Sequence, residues 1–231
     1  MRLSNRLKAV ASMVTLGNVV ADIGTDHGYV PIYLIKEGLI KHALAMDINE
    51  APLQSAKENI ATYDCEQAIK TRLSNGVEAL KANEADTVII AGMGGNLIMK
   101  ILSAGREVLV TAKELILQPQ SEIAQVRCFL QANGYCIIAE DMVYEDGKYY
   151  PMMKIVHGVM NLTRDIDFIY GPYLLGNKSQ VLKQFLDKED DTLQKIAKQI
   201  SEAGSDLSAS RQDKIKQEMC FNKLARKEYE E

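Results

Sequence analysis

The chain has 231 residues, 47% hydrophobic and 25% charged, with a formal net charge of −4. That is room for one α/β domain and a modest appendage, and the acidic balance argues against broad, nonspecific nucleic-acid binding while leaving a local basic patch open. No apolar run approaches the roughly 18 residues of a membrane helix, and Arg2, Arg6 and Lys8 precede no secretory apolar block, so a cytoplasmic protein without membrane association is expected.

Residues 19–28, Val-Val-Ala-Asp-Ile-Gly-Thr-Asp-His-Gly, read as a buried strand that breaks into a glycine loop where a helix should begin. Such a turn binds a cofactor. Asp26, at the middle of Gly24-Thr25-Asp26-His27-Gly28, stands where a dinucleotide-binding G-x-G-x-x-G loop carries the glycine that admits a pyrophosphate. A carboxylate there would repel phosphates at close range with little solvent to screen it. A cationic, phosphate-free nucleoside is the expected ligand, and S-adenosylmethionine answers that description.

The β-α alternation then continues. Residues 30–37 read as a helix with Pro31 in its first turn and Gly38 as its stop. Residues 42–47 form a short strand ending in Asp47, 51–63 a helix, 67–73 a third strand, and 76–81 the start of a third helix. An apolar strand over 85–91 runs into Gly92-Met93-Gly94-Gly95, followed by a helix over 97–102, a strand over 114–118 and a helix over 121–133 closed by Gly134. The pattern predicts a parallel, doubly wound, Rossmann-like sheet.

Residues 135–144 and 148–156 are strand-like runs separated by Glu145-Asp146-Gly147, and Asp-Gly signals a tight hairpin. Strands joined in this way are antiparallel. A sheet finishing with one antiparallel strand resembles class I methyltransferases and departs from an NAD-type domain. From about residue 163 the apolar residues fall at helical spacing (Val181, Leu182, Phe185, Leu186, Leu193, Ile196, Ala197, Ile200), Ala203-Gly204-Ser205 breaks the pattern, and Ile215, Met219, Phe221 and Leu224 resume it. This predicts a C-terminal α-helical hairpin over 161–231 beside a methyltransferase domain over 1–160. Its dense mixed charge reads as a solvated face.

Several residues could carry chemistry. Asp22 can orient the loop or accept hydrogen bonds from a ligand's ammonium, or simply cap the turn. Asp47, about 23 residues beyond Gly24, can accept from both ribose hydroxyls. Asn75 offers a donor and an acceptor for an adenine edge, with Gly76 allowing a tight turn, although Asn-Gly is also an ordinary turn. The glycines of Gly92-Met93-Gly94-Gly95 lie at the sheet's carboxyl edge, where a flat substrate could approach. His27 could transfer a proton or make only local hydrogen bonds, while Tyr29, Tyr149 and Tyr150 could stack on a base or sit in the core. Arg2 and Arg6 could contact phosphates or remain solvated. The four cysteines (Cys65, Cys128, Cys136, Cys220) lack C-x-x-C spacing and do not cluster with His27, His42 or His157, so neither a metal site nor a disulfide framework is expected.

Taken together, Ala-Asp-Ile-Gly-Thr-Asp-His-Gly-Tyr-Val-Pro over 21–31, Ile-Ala-Gly-Met-Gly-Gly over 90–95 and Leu-Gln-Pro-Gln over 117–120 resemble the bacterial tRNA (adenine(22)-N1)-methyltransferases. The resemblance covers most of residues 1–160, and the C-terminal helices are similar to that family's coiled-coil-like appendage. It implies S-adenosylmethionine as methyl donor and tRNA as partner and substrate. Carried over by position, it places Asp22, Gly24, Thr25, Asp26, His27, Gly28, Asp47, Ile48, Asn75, Gly76, Gly92, Met93 and Gly94 around the cofactor, with Asp26 and His27 as catalytic candidates. The Asn/Asp-Pro-Pro-Tyr pattern of amino-group methylases is absent after the fourth strand. Two rival readings are a small-molecule methyltransferase, with the helices as lid or dimerisation element, and a noncatalytic RNA-binding protein on a degenerate fold. The sequence leaves the oligomeric state open.

Overall fold

The computed structural model describes residues 3–202 and 209–230. The chain divides into two compact units, Met1–Asn161 and Leu162–Glu231.

In the first unit, α1 (Asn5–Ser12) precedes β1 (Val20–Ile23), α2 (Tyr29–Lys36), β2 (Ala43–Asp47), α3 (Glu50–Thr62), β3 (Ile69–Leu73) and β4 (Thr87–Met93). There follow α4 (Gly95–Ala104), α5 (Arg106–Leu109), β5 (Glu114–Pro119), α6 (Ile123–Ala132), β6 (Tyr135–Glu145) and β7 (Lys148–His157). The strands form one seven-stranded sheet in the order β3-β2-β1-β4-β5-β7-β6. The pairs among β1 to β5 are parallel, and β7 runs antiparallel to both β5 and β6. The antiparallel strand is thus last in the chain but not at the edge, because it inserts between two strands made before it.

Successive residues of the central strands point to opposite faces, and both faces are covered. Ile23, Met46, Ile90, Leu115 and Leu117 pack with Ile98, Leu102 and Leu130 on one side, while Val20, Ala45, Ile89 and Ile116 pack with Val10, Ile32 and Ile60 on the other. That is why runs such as Val88-Ile89-Ile90 are continuously apolar rather than alternating. Each such side chain contributes about 1.5–3 kcal/mol by leaving water. At the hairpin, Glu145 pairs with Lys148, and Asp146 and Gly147 both take positive φ, 49° and 79°. This is the geometry of a two-residue type I′ turn, as Asp-Gly led one to expect.

Three local expectations are corrected. Residues 76–79 form turns rather than a third helix: the Ser74 hydroxyl accepts from the Ala79 N–H and donates to the Gly76 carbonyl, and Arg72 Nη1 donates to the Ala79 carbonyl, so side chains take the groups a helix would pair. Next, β4 does not stop at Ala91. It continues through a register shift to Met93, with Gly92 at φ 79°, a bulge conformation that glycine adopts without strain. Last, α6 begins at Ile123, after Glu122 at φ 50°.

The second unit holds α7 (Asp165–Tyr170), α8 (Pro172–Gly176), α9 (Gln180–Glu202) and α10 (Ala209–Lys227). The two short helices were not expected. The paired contacts run in opposite directions along α9 and α10: Asn222 Nδ2 donates to the Leu186 carbonyl and to Glu189 Oε2, both at 2.9 Å, and Tyr229 OH to the Ser179 carbonyl. The helices are therefore antiparallel, with Leu182, Leu186, Leu193 and Ile200 buried along the seam. Tyr170 OH also donates to Glu189 Oε2, while Asn222 Oδ1 is buried without a partner among the described residues. The predicted break at Ala203-Gly204-Ser205 lies outside the described residues, as does Arg2.

Candidate active site

The sheet's parallel strands bring their carboxyl ends to one edge, where three loops meet. After β1, the chain turns through Gly24 at φ 72°, His27 at φ 61° and Gly28 at φ 69°, so the left-handed region is visited three times within five residues. The Gly24 and Thr25 N–H groups donate to the Met46 carbonyl at 2.8 and 2.9 Å, which ties the loop to the end of β2. A Cβ on Gly24 would stand 2.1 Å from Met93 Cε, so this loop and the β4 turn are in direct contact.

Asp22 is buried at the end of β1, and its Oδ2 accepts from the equally buried Thr25 hydroxyl at 2.7 Å. Burial pushes its carboxyl up to about 6; the Thr25 hydrogen bond opposes the rise and the Asp47 charge adds to it. Asp47 Oδ1 accepts from the Asn49 N–H at 2.7 Å, leaving Oδ2 for a ligand. Its own carbonyl accepts from the Ser74 N–H at 2.8 Å, which fixes the β3 loop against it. Beside it, Ile48 is 57% exposed, an apolar surface of the kind a base can cover.

The expectation for Asp26 is corrected. Its side chain is 82% exposed and lies 3.1 Å from His27 Nε2, so solvent and an imidazole screen it. The buried acid here is Asp22, a desolvated carboxylate whose charge a cation would offset. His27 stacks on Tyr29 with ring centroids 5.3 Å apart. The Asn75 side chain donates to Glu78 Oε1 at 2.8 Å, so its amide is engaged within its own turn and must let go of Glu78 to offer that donor to a base.

The β4 turn is held from below by Gln118, whose Oε1 accepts from the Gly92 N–H at 3.2 Å and from Arg6 Nη1 at 3.0 Å. Gly94 caps α4, and the Gly95 N–H donates to Ser121 Oγ, which in turn hydrogen-bonds Glu122. Sequence reasoning singled out the glycines but gave Gln118 no role. Its signal was a polar residue ending the apolar run Leu115-Ile116-Leu117, in a strand buried on both faces. The described residues contain no cluster of His, Cys, Asp or Glu suited to a metal ion, and none of their helices is long and apolar enough to cross a membrane.

The sheet order, the glycine loop after β1 and the acids ending β1 and β2 define a Rossmann-like, class I methyltransferase domain. Comparison with known proteins agrees: a methyltransferase-domain model matches residues 3–153. The chain is 36% identical over 208 residues to the tRNA (adenine(22)-N(1))-methyltransferase of Bacillus subtilis, spanning 88% of this chain and 87% of that protein. A Streptococcus pneumoniae protein provisionally described as a tRNA (m1A22) methyltransferase, crystallised with S-adenosyl-L-methionine, superposes with a TM-score of 0.87 at 33% identity, over 97% of this chain and 99% of that one. The M. capricolum TrmK structure, in complex with S-adenosyl-homocysteine, gives a TM-score of 0.84 at 28% identity over 97% of each chain. The chain belongs to the tRNA (adenine(22)-N1)-methyltransferase family.

Proposed function

We propose that this protein transfers a methyl group from S-adenosylmethionine to N1 of adenosine 22 in tRNA, in the cytoplasm. The observation that carries the reading is the extent of the likeness: 97% of the chain, C-terminal helices included, corresponds to TrmK, which a small-molecule enzyme sharing only the sheet would not explain. When bound, S-adenosylmethionine supplies an electrophilic methyl on a sulfonium.

The residues fit that molecule. In this reading Asp47, with Oδ1 taken by the Asn49 N–H, offers Oδ2 to a ribose diol, the exposed Ile48 covers the adenine, and the charge of the buried Asp22 favours the cationic head. N1 of adenine already has an in-plane lone pair, so the protein needs no nucleophile and no base for the transfer itself. Its task is alignment, which by proximity alone can lower a barrier by several kcal/mol. N1 lies on the Watson–Crick edge, so a paired adenosine must first be extruded, at a few kcal/mol. Methylation leaves positive charge on the ring. Asp26, screened by solvent and by His27 as the chain stands, would favour that charge only once bound RNA excludes water from it.

The test is methyl incorporation into unmodified tRNA, with and without adenosine 22 replaced by guanosine. Incorporation that depends on the adenosine supports the assignment, and incorporation indifferent to it refutes it. Calorimetry showing no S-adenosylmethionine binding at millimolar ligand would instead support the noncatalytic reading.

A further inference from the structure

The Gly92 turn is bordered by a cluster to which the cofactor assignments above give no part: Arg6, Gln118 and Tyr150. Gln118 is fully buried; besides accepting from Gly92 and Arg6, its Nε2 donates to the Pro119 carbonyl at 3.2 Å. The Arg6 guanidinium lies over the Tyr150 ring, 5.4 Å from its centroid. A Cβ on Gly92 would stand 3.6 Å from Arg6 Nη1, so the guanidinium borders the turn's backbone directly. The helix that carries Arg6 is pinned as well: Glu145 Oε1 accepts from the Asn5 N–H at 2.7 Å and Oε2 from the Arg6 N–H at 3.3 Å.

Arg6 is thus half-buried and held in place, yet its side-chain hydrogen-bond partner is a neutral amide. It makes no direct ion pair among the described residues: the nearby Glu145 attracts it, but spends its oxygens on the Asn5 and Arg6 N–H groups and the Ser4 side chain. A hydrogen bond to Gln118 commits Nη1, and the Glu145 carboxylate only partly offsets the charge, from beyond ion-pair distance. The last pairing of β7 with β5 is Met153 with Leu117, so residues 148–150 extend past it toward the carboxyl edge, and Tyr150 and Arg6 stand beside the Gly92 turn.

We propose that Arg6 grips a backbone phosphate of the RNA next to the target adenosine, with Gln118 as the positioning residue that fixes both the guanidinium and the Gly92 amide. The inference rests on the tRNA reading above. Charge decides between base and phosphate. Methylation makes the adenine ring cationic, and a guanidinium against it would oppose the transfer, whereas a phosphate is anionic before and after. The Tyr150 ring braces the guanidinium, a group whose planar fork of N–H donors suits a phosphate.

The test uses full-length Arg6→Gln, Arg6→Lys and Tyr150→Leu proteins, measuring binding of unmodified tRNA across a salt series and S-adenosylmethionine affinity by calorimetry. Arg6→Gln should weaken tRNA binding about tenfold to a hundredfold and lower the slope of log affinity against log salt by about one, with cofactor affinity unchanged. Arg6→Lys should keep the slope; Tyr150→Leu should weaken binding with the slope intact. An Arg6→Gln protein with unchanged slope overturns the proposal, as does one that loses cofactor and tRNA affinity together, which would mark a role in shaping the turn. Wild-type protein that methylates adenosine 22 alongside such a result shows that the inference failed and the function did not. Wild-type protein inert on tRNA refutes both.

Discussion

Replacing Asp22 by Asn should stabilise the protein and weaken its cofactor binding, and both effects should depend on pH. In the folded chain, burial raises the Asp22 carboxyl from 3.8 to about 6, with Thr25 opposing and Asp47 adding. The folded state therefore holds its proton more tightly than the unfolded state. This contribution to stability is complete below pH 3.8 and is lost as pH rises through about 6. A shift of about two units corresponds to about 3 kcal/mol, the destabilisation from carrying the bare carboxylate at neutral pH. Roughly half of it, about 1.4 kcal/mol, develops between about pH 5 and about pH 8, where the unfolded carboxyl is already ionised. The Asp22→Asn side chain keeps an acceptor for the Thr25 hydroxyl but cannot ionise. Urea unfolding of both proteins near pH 5 and near pH 8 should show the variant gaining about 1.4 kcal/mol on the wild type between the two. Carboxyls common to both proteins cancel in that difference. In the wild type, affinity for S-adenosylmethionine should climb about tenfold per pH unit below 6 and level off above it, and the Asp22→Asn protein should lose the climb. An equal stability difference at both pH values would refute the claim that Asp22 is a strained, buried acid awaiting a cation.

Asp47→Ala should weaken S-adenosylmethionine binding by about 1–3 kcal/mol in calorimetry, through loss of charge-assisted hydrogen bonds to the ribose; an unchanged dissociation constant would mean that Asp47 is not the ribose partner. Lys154→Ala strands the buried Glu114 carboxylate, 2.8 Å from Lys154 Nζ, and should destabilise the fold by about 3–5 kcal/mol in urea. Burial raises the Glu114 carboxyl, but hydrogen bonds from Lys154, Thr15 and Thr87 outweigh it and hold it below 4.5, so its stabilisation is present above 4.5 and lost on acidification. In the Lys154→Ala protein, acid unfolding should begin at higher pH. Gly147→Ala meets no neighbour within 4 Å but requires φ 79°, and should lower stability by about 1 kcal/mol in thermal or urea unfolding. A chain ending at residue 161 should bind S-adenosylmethionine with unchanged affinity and methylate tRNA less; equal loss of both would point to a folding role for the C-terminal helices.

Sequence pattern carried far where chemistry is local. Val88-Ile89-Ile90 and Leu115-Ile116-Leu117 announced doubly covered strands, Asp146-Gly147 announced a hairpin, and the interval from Gly24 to Asp47 announced two acids at one sheet edge. It failed where three-dimensional context decides. Nothing in Gly24-Thr25-Asp26-His27-Gly28 says that Asp26 faces solvent while Asp22 is buried. The expected helix after Gly76 gave way because Ser74 and Arg72 capture its backbone groups. The bond between Arg6 and Gln118 joins residues 112 apart, a separation no periodicity can reveal.

The position of β7 has a consequence for synthesis. Its slot between β5 and β6 stands vacant until Lys148–His157 has left the ribosome, so β5 waits with an open edge while most of the domain already exists. The last strand made also carries Tyr150, and one of the first helices made carries Arg6. A nascent chain can therefore complete its glycine loop and both acids well before its acceptor side. Capacity to hold a nucleoside should precede capacity to engage RNA, and the two should be separable in time on ribosomes stalled before and after this strand emerges.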